Sequence, residues 1–347
     1  MRAVIYTSPG EVALAEVPLP SMIESTDAIV KVSLAGICGT DLHVVRGDFP
    51  GIEPGTVVGH EFVGKVVEVG SAVRRVRQGD KVMSSDFTAC GHCGWCDRGN
   101  HWHCRERAFF GTGTSFGPTL AGAQAEFVRV PHADTTLGLL PQGCSEEAAL
   151  LMGDNLATGW VAVERASVEP GDSVVVIGGG AVGQLAALSA QAVGAGVVVV
   201  VEPNATRRAF ALAHGCLGAH PDEAASLVHR VTEETGASVV LEAVGGNGPM
   251  ELAMKLASPV GRIVSVGTHL AEQWAFPVAR AFRDELTVGF AIGDAIRLRQ
   301  RLLRLVAGGA FDPTVVIDVR GKLDEVPRLY KQLSAQQFLK AVVSPHR

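Results

Sequence analysis

A glycine-rich loop between an apolar strand pattern and an apolar helix pattern constrains the fold of this chain most. The run Ser173–Ile177 reads as a buried strand, and Gly178-Gly179-Gly180-Ala181-Val182-Gly183 follows at once, before an apolar helix that extends to about Val193. In the spacing G-x-G-x-x-G, the first glycine makes a tight turn, the second admits a pyrophosphate and the third lets helix and strand pack closely. The phosphates would lie at the positive end of the helix. The loop therefore predicts a dinucleotide-binding unit whose candidate cofactor-binding residues are Gly178, Gly180, Ala181, Val182 and Gly183.

An acidic residue ends the next apolar strand. The run Val197–Val201 is followed by Glu202, a little over twenty residues past the glycines. A carboxylate at this position accepts hydrogen bonds from both ribose hydroxyls and repels a 2′-phosphate, so the sequence favours NAD over NADP. Arg207 and Arg208 follow within reach and could soften that preference, which makes Arg207 a further candidate for cofactor binding.

The same α/β alternation continues towards residue 293. Residues 204–214 read as a helix with an Asn204 N-cap. Helices are also expected over 221–235 and 250–257, between strand patterns at 239–241, 262–266 and 287–290. The expected architecture is a doubly wound parallel sheet.

The first 130 residues show short alternating stretches that glycine and proline interrupt, as in strands of a partly closed antiparallel β-domain. The clearest of these stretches are 28–32, 65–69, 80–83 and 126–130. A chain of 347 residues is too long for one ordinary core, so two domains are expected.

Composition excludes several classes of partner. The net charge of −6 gives no general attraction to nucleic acid or to an anionic membrane. The first residues lack a charged segment followed by a long apolar run, and no apolar run is long enough to span a membrane. We therefore expect a cytoplasmic protein without a signal peptide.

Four of the seven cysteines lie within fifteen residues, in the pattern Cys-x2-Cys-x2-Cys-x7-Cys. In a reducing compartment this crowding indicates a metal rather than disulfides. An iron–sulfur cluster is the rival, but the bacterial ferredoxin pattern has a shorter last gap and a proline after the last cysteine, where this chain has Arg105. Nearby histidines could replace a cysteine, although four thiols complete a tetrahedral zinc shell. The ligands favoured for this zinc are Cys90, Cys93, Cys96 and Cys104.

A second set of candidate ligands consists of Cys38, His60 and Asp154. Zinc accepts sulfur, imidazole and carboxylate ligands, and a catalytic site has three protein ligands with a fourth position open. Taken alone, the three residues could equally be a buried thiol, a core histidine and a surface carboxylate.

The surrounding motifs distinguish these alternatives. The stretch Gly59-His60-Glu61-Phe62-Val63-Gly64, continued by Gly70 and Val73, resembles the zinc signature of the medium-chain alcohol dehydrogenase family. Cys38-Gly39-Thr40-Asp41-Leu42-His43 is similar to the loop that carries the first zinc ligand of that family. The resemblance covers essentially the whole chain. It implies a GroES-like catalytic zinc domain over 1–153 and 294–347, and an NAD-binding Rossmann domain over 154–293.

The resemblance also implies residue roles. Cys38, His60 and Asp154 would hold a catalytic zinc, with Glu61 in or near its shell, and the four-cysteine zinc would be structural, giving two zinc ions per chain. Thr40 would contact the substrate oxygen, His43 would end a proton relay to solvent, and Asp41 would orient the His60 ring. The alternatives are that Thr40 caps a helix starting near Asp41 and that His43 is simply exposed. Lys340, near the end of the chain, would approach the cofactor phosphates unless it is a solvated surface lysine.

Asp154 departs from the cysteine that many members of the family have as third ligand. The context Gly-Asp-x-Leu-x-Thr-Gly looks like the formaldehyde-dehydrogenase-related branch. Aspartate is a legitimate zinc ligand, and because it is harder than sulfur we expect easier exchange of the bound water.

The function implied is a zinc-dependent oxidoreductase that transfers hydride between an alcohol or carbonyl substrate and NAD(H). The alternatives are a zinc-free quinone or enone reductase, an aldehyde dismutase with tightly bound NAD, and a non-catalytic NAD-binding zinc protein. The expected partners are a small alcohol or aldehyde and further copies of the chain in a homodimer or homotetramer. We expect Phe87, Phe109 and Phe110 to line an apolar substrate pocket, unless they are plain core.

Overall fold

The computed structural model describes residues 1–309 and 312–346. Internal contacts divide the chain into two compact units, the first comprising Met1–Asp154 and Asp294–Arg347 and the second Asn155–Gly293. Asp154 therefore lies in the first unit, one residue away from the predicted boundary.

The strands of the described residues vary in length from 3 to 10 residues. In chain order they are β1 (Arg2–Ser8), β2 (Glu11–Glu16), β3 (Ala28–Ile37), β4 (Phe62–Val69), β5 (Lys81–Ser84), β6 (Phe127–Val130), β7 (Leu137–Leu139), β8 (Ser173–Ile177), β9 (Val197–Val201), β10 (Leu217–Ala219), β11 (Ala237–Glu242), β12 (Ala257–Ser265), β13 (Thr287–Phe290), β14 (Ile317–Lys322) and β15 (Lys340–Ser344).

The helices of the same residues are α1 (Gly39–Arg46), α2 (Ala133–Thr136), α3 (Glu146–Met152), α4 (Asn155–Arg165), α5 (Ala181–Ala192), α6 (Ala205–Ala213), α7 (Ala224–Val231), α8 (Asn247–Leu256), α9 (Val278–Arg283), α10 (Ala295–Ala307) and α11 (Val326–Ser334). None of the helices in this part of the chain is long and apolar enough to cross a membrane.

The first unit is built on a seven-stranded sheet and a small two-stranded one. The larger sheet has the order β14-β15-β3-β4-β5-β7, with β6 also paired to β3. Its pairs are antiparallel, as expected, except for β14 and β15, which run parallel. The exception follows from the connection, because α11 carries the chain back so that β15 begins at the same end as β14. Val30, Val66, Val128 and Phe62 contribute to the core of this unit.

The second unit contains a parallel sheet of order β10-β9-β8-β11-β12-β13, which confirms the predicted doubly wound fold. The continuous apolar run of β8 is explained by burial on both faces. Val174 and Val176 belong to one core, and Val175 and Ile177 belong to the other. The strand order reverses between β8 and β11, and in such sheets ligands bind outside the carboxyl ends of the strands at this point.

The helix boundaries in the second unit are close to those expected. Asn204 caps α6, since its side-chain oxygen accepts the backbone N–H of Thr206 at 2.9 Å. The helix expected over 221–235 is shorter, because a 3-10 turn (Pro221–Glu223) precedes α7.

Candidate active site

The loop that carries Cys38 is fixed by its own helix. Cys38 is the N-cap residue of α1, and its backbone N–H donates to Asp41 Oδ2 at 2.9 Å. Thr40 is half-buried in the first turn of this helix, after its start, so the alternative that it caps the helix was wrong. His43 lies one turn further along the same helix.

Three separate elements bring the proposed ligands of the first metal site together. Cys38 follows β3, His60 precedes β4, and Asp154 follows α3. Asp154 Oδ2 lies 3.6 Å from Cys38 Sγ and 3.3 Å from His60 Nε2. Together with a carboxylate oxygen of Glu61, these ligand atoms all lie within 4.8 Å of one another. A thiol, an imidazole and a carboxylate at this spacing are the ligand types that zinc prefers, so the residues fit the metal.

The electrostatics of this cluster also fit a cation. Burial raises the pKa of the Cys38 thiol, and the negative charges of Asp154 and Glu61 raise it further. Burial disfavours the protonated form of His60, yet Asp41 and Asp154 outweigh it and raise the pKa of this ring. Burial likewise opposes ionisation of Asp154, but His60 lowers the pKa of its carboxyl. A divalent ion bound among these groups would offset their negative charge.

A chain of side chains lies behind the His60 ring, which is only 1% exposed. Asp41 Oδ1 is 2.9 Å from His60 Nδ1, where a second group typically orients a metal-bound imidazole. Gln124 Nε2 donates to the Gly36 carbonyl at 3.0 Å and reaches Asp41 Oδ2 at 3.5 Å. Tyr330 donates its hydroxyl hydrogen bond to Gln124 Oε1 at 2.9 Å. Sequence reasoning missed Gln124 and Tyr330, because no motif links residues so far apart.

Lys340 has a partner that the sequence did not indicate. Its side chain is 1% exposed and its ammonium group pairs with Glu61 Oε2 inside the first unit. It is therefore not a solvated surface lysine, and its approach to the cofactor phosphates stays a prediction. Burial raises the pKa of Glu61 to about 7, against the opposing effect of the Lys340 charge.

His43 lies at the edge of the site. Its Nδ1 is 2.8 Å from Asp48 Oδ2, and its side chain is 23% exposed. The ring also contacts Phe49, with centroids 5.6 Å apart. His43 is thus both solvent-accessible and held in one orientation by a carboxylate.

Asp86 is an acid that sequence reasoning missed. It is buried, and its Oδ1 accepts a hydrogen bond from Ser85 Oγ at 3.1 Å. Burial raises the pKa of this carboxyl well above its usual range, and the charge of Asp154 raises it further. The only signal in the sequence is its place, four positions before the four-cysteine lobe (residues 90–104).

The four-cysteine lobe gathers its thiols around one point. The ligand atoms of Cys90, Cys93, Cys96 and Cys104 lie within 4.8 Å of one another, and none of the seven cysteines, all of which lie in the described residues, forms a disulfide. Backbone N–H groups of Cys96 and Arg105 lower the pKa of Cys93 to about 6, which favours a thiolate. Of the flanking histidines, His101 has its Nδ1 at 3.1 Å from Asp294, whereas a ring nitrogen of His92 lies within 4.8 Å of ligand atoms of Cys90 and Glu106.

The glycine-rich loop of the second unit has the geometry that a pyrophosphate requires. Gly178 has φ of +97°, and Gly180 is the N-cap of α5. A Cβ on Gly183 would collide with the Gly178 carbonyl oxygen, so only glycine fits there. A Cβ on Gly180 would lie 3.9 Å from the Arg207 guanidinium, so Arg207 borders this loop. Ala181 and Val182 form the first turn of α5.

Glu202 is buried against the same loop. Its Oε2 accepts the Gly179 N–H at 2.7 Å, and its Oε1 accepts the Asn204 N–H at 2.8 Å. Arg208 donates to the backbone carbonyls of Glu202 and Pro203. Its hydrogen bonds to these carbonyls anchor it beside the acid.

A polar network at the ends of β11 and β12 was also missed. The Gly246 N–H donates to His269 Nδ1 at 3.2 Å, so Nε2 carries the ring proton and donates to Ser265 Oγ at 2.8 Å. Ser265 in turn donates to Glu242 Oε2 at 2.5 Å, and Glu242 Oε1 accepts the N–H groups of Val244 and Gly245. The network ties together two loops at the carboxyl edge of the sheet, beside the point where its strand order reverses.

Fold and site together define a dehydrogenase with a zinc-binding β-domain and a dinucleotide-binding domain. Residues 24–141 match the family model of the alcohol dehydrogenase GroES-like domain, and residues 181–308 match that of the zinc-binding dehydrogenases. A Mycobacterium tuberculosis protein described as a zinc-binding alcohol dehydrogenase is 35% identical over 337 residues, covering 97% of this chain and 86% of that protein.

Solved structures agree. Alcohol dehydrogenase TADH from Thermus sp. ATN1 has a TM-score of 0.94 and 36% identity, with 99% of each chain covered. A structure described as a zinc-binding dehydrogenase from Sinorhizobium meliloti 1021, bound to NADP, has a TM-score of 0.85 and 29% identity, with 99% of each chain covered. The chain belongs to the zinc-dependent medium-chain alcohol dehydrogenase family.

Membership makes the protein a zinc-dependent oxidoreductase that uses a nicotinamide cofactor and small alcohols or aldehydes. The alternatives of a zinc-free reductase and of a non-catalytic protein are set aside on the same grounds.

Proposed function

We propose that the protein is an NAD-dependent alcohol dehydrogenase in which Cys38, His60 and Asp154 hold the catalytic zinc. The observation that carries the proposal is the gathering of their ligand atoms within 4.8 Å, from three separate elements. Zinc bound there would supply Lewis acidity, which lowers the pKa of an alcohol oxygen, and NAD would accept the hydride. The fold described above would provide a separate unit for each of these two groups.

The other residues of the site orient ligands and move the proton. Asp41 holds the His60 ring from its Nδ1 side, so that Nε2 points towards Asp154. The Thr40 hydroxyl would accept the alcohol proton while it gives up its own, and His43, which is partly exposed and paired with Asp48, would release a proton to solvent. Glu61, neutralised by Lys340, would stay beside the ligands without adding a net charge.

We further infer a second zinc in the four-cysteine lobe, giving two per chain. Four thiolates close its coordination shell, so this ion would stabilise the lobe and take no part in hydride transfer.

NAD rather than NADP is the proposed cofactor. Support comes from Glu202, whose carboxylate is fixed by the Gly179 and Asn204 N–H groups and keeps lone pairs for ribose hydroxyls. Its charge would repel a 2′-phosphate. We expect Glu202→Gln to lower the ratio of kcat/KM with NAD to that with NADP by about tenfold, and Glu202→Asp, which keeps the charge, to preserve most of it. A parent enzyme that already prefers NADP would contradict the assignment.

The test of the function is NAD-linked oxidation of a panel of primary, secondary and aromatic alcohols, with zinc measured by elemental analysis. We expect two zinc ions per parent chain, and loss of one ion and of turnover in Cys38→Ser. Cys144→Ser is the matched control, because Cys144 belongs to neither ligand set, and it should keep both ions and full activity. A parent protein with a single zinc, in the four-cysteine lobe, would overturn the proposal.

Asp154 as third ligand favours a second candidate, an aldehyde dismutase of the formaldehyde-dehydrogenase-related branch. Such an enzyme would retain its NAD and recycle it between two aldehyde molecules. Purified protein carrying stoichiometric NAD, and converting an aldehyde to acid and alcohol without added cofactor, would favour this candidate over the first.

We also propose a homodimer or homotetramer in the cytoplasm. Support for self-association comes from the second unit, where Val278 and Phe282 on α9 and Phe290 on β13 are exposed, Phe282 at 85%. Within the described residues β13 ends its sheet, so its outer edge has unpaired backbone groups. A reducing compartment suits the free thiols of the lobe.

A further inference from the structure

A cluster of aromatic rings adjoins the metal site within the first unit. The His60 ring contacts Phe109, with centroids 5.3 Å apart. Phe109 contacts Trp102 at 5.9 Å and Phe116 at 5.6 Å, and the last two contact each other at 5.7 Å. We call these three residues, Trp102, Phe109 and Phe116, the ring cluster. Each of its rings contacts the other two, and Phe109 also contacts a proposed zinc ligand.

The ring cluster continues towards the proposed end of the proton relay. Phe116 contacts Phe49 at 5.1 Å, and Phe49 contacts His43 at 5.6 Å. Aromatic rings therefore run without a break from His60 to His43, beside the position proposed for the reacting hydroxyl. A substrate whose hydroxyl lies there would have its remaining atoms against this apolar surface.

Trp102 comes from the four-cysteine lobe. It lies in the 3-10 turn (His101–His103) that precedes the zinc ligand Cys104. Its neighbour His101 is held by Asp294, which accepts the His101 N–H at 2.9 Å. The position of the indole therefore depends on the fold of the lobe.

Arg107 holds the ring cluster in place. Its guanidinium lies 4.1 Å from the centre of the Trp102 ring, and its Nε donates to the Phe116 carbonyl at 3.0 Å. The same guanidinium also donates to the Trp102 carbonyl. A cation stacked on an indole and bonded to both segments fixes the two rings before any ligand arrives.

The ring cluster keeps an accessible face. Phe109 is buried, whereas Trp102 and Phe116 are only partly buried. An aromatic ligand packed on these two rings would gain roughly 0.5–1.5 kcal/mol per ring pair beyond the burial of its area. Ethanol has no ring that could pack on these side chains.

We propose that the ring cluster binds the non-reacting part of the substrate, that Trp102 is a specificity-determining residue, and that the substrates are alcohols or aldehydes that carry an aromatic ring. The proposal rests on the proposed function, because it takes the reacting hydroxyl to lie beside His60. It gives the four-cysteine lobe a part in substrate choice as well as in stability.

The test compares kcat/KM for benzyl alcohol and for ethanol in the zinc-loaded enzyme. We expect Trp102→Ala to lower kcat/KM for benzyl alcohol by about tenfold, mainly through KM, and to change that for ethanol by less than about twofold. Trp102→Phe should recover most of the loss. Trp95→Ala is the matched control, since Trp95 lies in the same lobe, is 40% exposed and contacts His103 and Arg98. This substitution should change kcat/KM for neither alcohol.

Several outcomes would overturn the proposal. The first is a parent enzyme whose kcat/KM for ethanol equals that for benzyl alcohol. The second is a Trp102→Phe enzyme that keeps both zinc ions but whose kcat/KM falls by the same factor for both alcohols. The second result would make Trp102 a support for the lobe only. If Trp102→Ala loses zinc, the kcat/KM values of Trp102→Phe alone decide the test.

Binding measured without turnover separates this proposal from the proposed function. Saturation-transfer NMR should show benzyl alcohol in contact with the parent protein and a weaker signal for Trp102→Ala. Such contact in a parent protein that oxidises no alcohol would defeat the proposed function and leave the ring cluster as a binding site. Turnover of benzyl alcohol with no dependence on Trp102 would defeat the ring cluster alone.

Discussion

At the scale of single residues, Asp41 contacts two of the proposed zinc ligands. One carboxylate oxygen accepts the Cys38 N–H at 2.9 Å, and the other lies 2.9 Å from His60 Nδ1. The side chain is buried, and Gln124 lies beside it. A single carboxylate thus sets the positions of two ligands, and an amide cannot replace it because its NH2 group would face another donor.

We therefore expect Asp41→Asn to weaken zinc binding at the catalytic site by about 10- to 100-fold, the range usual for groups behind a metal ligand. Measured in zinc buffers, the variant should lose one ion at a free zinc concentration where the parent keeps both. Asp134→Asn, at a surface acid that accepts the Arg74 and Arg75 N–H groups, is the control and should behave as the parent. Equal zinc affinity in Asp41→Asn and the control would contradict the role given to Asp41.

At the scale of elements, the amino ends of the second unit's strands meet at Asp172, just before β8. Arg262 from β12 donates to both carboxylate oxygens, at 2.9 and 2.8 Å. Ser238 from β11 donates at 2.8 Å and the Glu169 N–H at 2.8 Å. Burial opposes ionisation of Asp172, but these donors outweigh it and lower the pKa of its carboxyl. The network joins three neighbouring strands of the sheet.

Asp172→Asn should lower the free energy of unfolding by about 1–3 kcal/mol at pH 7, because it removes a charge-assisted network. The folded-state pKa of Asp172 lies below its unfolded value of about 3.9, so its stabilisation is complete above that pH and is lost as the pH falls. Urea unfolding at pH 7 and at pH 3 would measure this, and the difference between parent and variant should shrink at the lower pH. A difference that grows on acidification would rule out the explanation.

The four-cysteine lobe is the second element whose stability can be tested separately. It is organised around its thiols, and the apolar side chains that pack with them are few. Its folding should therefore depend on the metal.

Cys96→Ser should reduce zinc content to one ion per chain and lower the melting temperature, and a strong chelator should do the same to the parent. Cys144→Ser, outside both ligand sets, should leave zinc content and melting temperature unchanged. If Cys96→Ser melts as the parent does, the lobe does not need its metal.

At the scale of the whole molecule, the apolar surface of α9 and β13 bears on assembly. Isolated exposed apolar side chains are ordinary, but here Phe290 lies on the strand that ends its sheet within the described residues. A second copy of the chain would cover both features.

We expect Phe282→Asp to shift the enzyme towards monomer in sedimentation velocity, because a carboxylate would have to be buried without a partner. Leu19→Asp is the control, since Leu19 is an exposed apolar residue of the first unit, and its sedimentation should match the parent's. A Phe282→Asp protein that sediments as the parent would place the contact elsewhere.

The fold was easier to predict from the sequence than the positions of the site residues. The apolar runs of β8 and β9 predicted their bounds, because a parallel strand buried on both faces consists of apolar residues throughout. The position of Lys340 was not predictable, since its partner Glu61 lies 279 residues away in sequence. The contact of the ring cluster with His60 was not predictable for the same reason, although its three rings lie close together in the sequence.

The sequence by itself determined the chemistry available to this protein: thiols at metal spacing, a His-Glu pair after glycine, and a glycine loop between strand and helix. These are local features, and spacing along a chain reports local geometry. Only the tertiary structure decided which of these groups meet. Packing between distant segments, which no local period encodes, brings Lys340 to Glu61 and places the ring cluster beside His60.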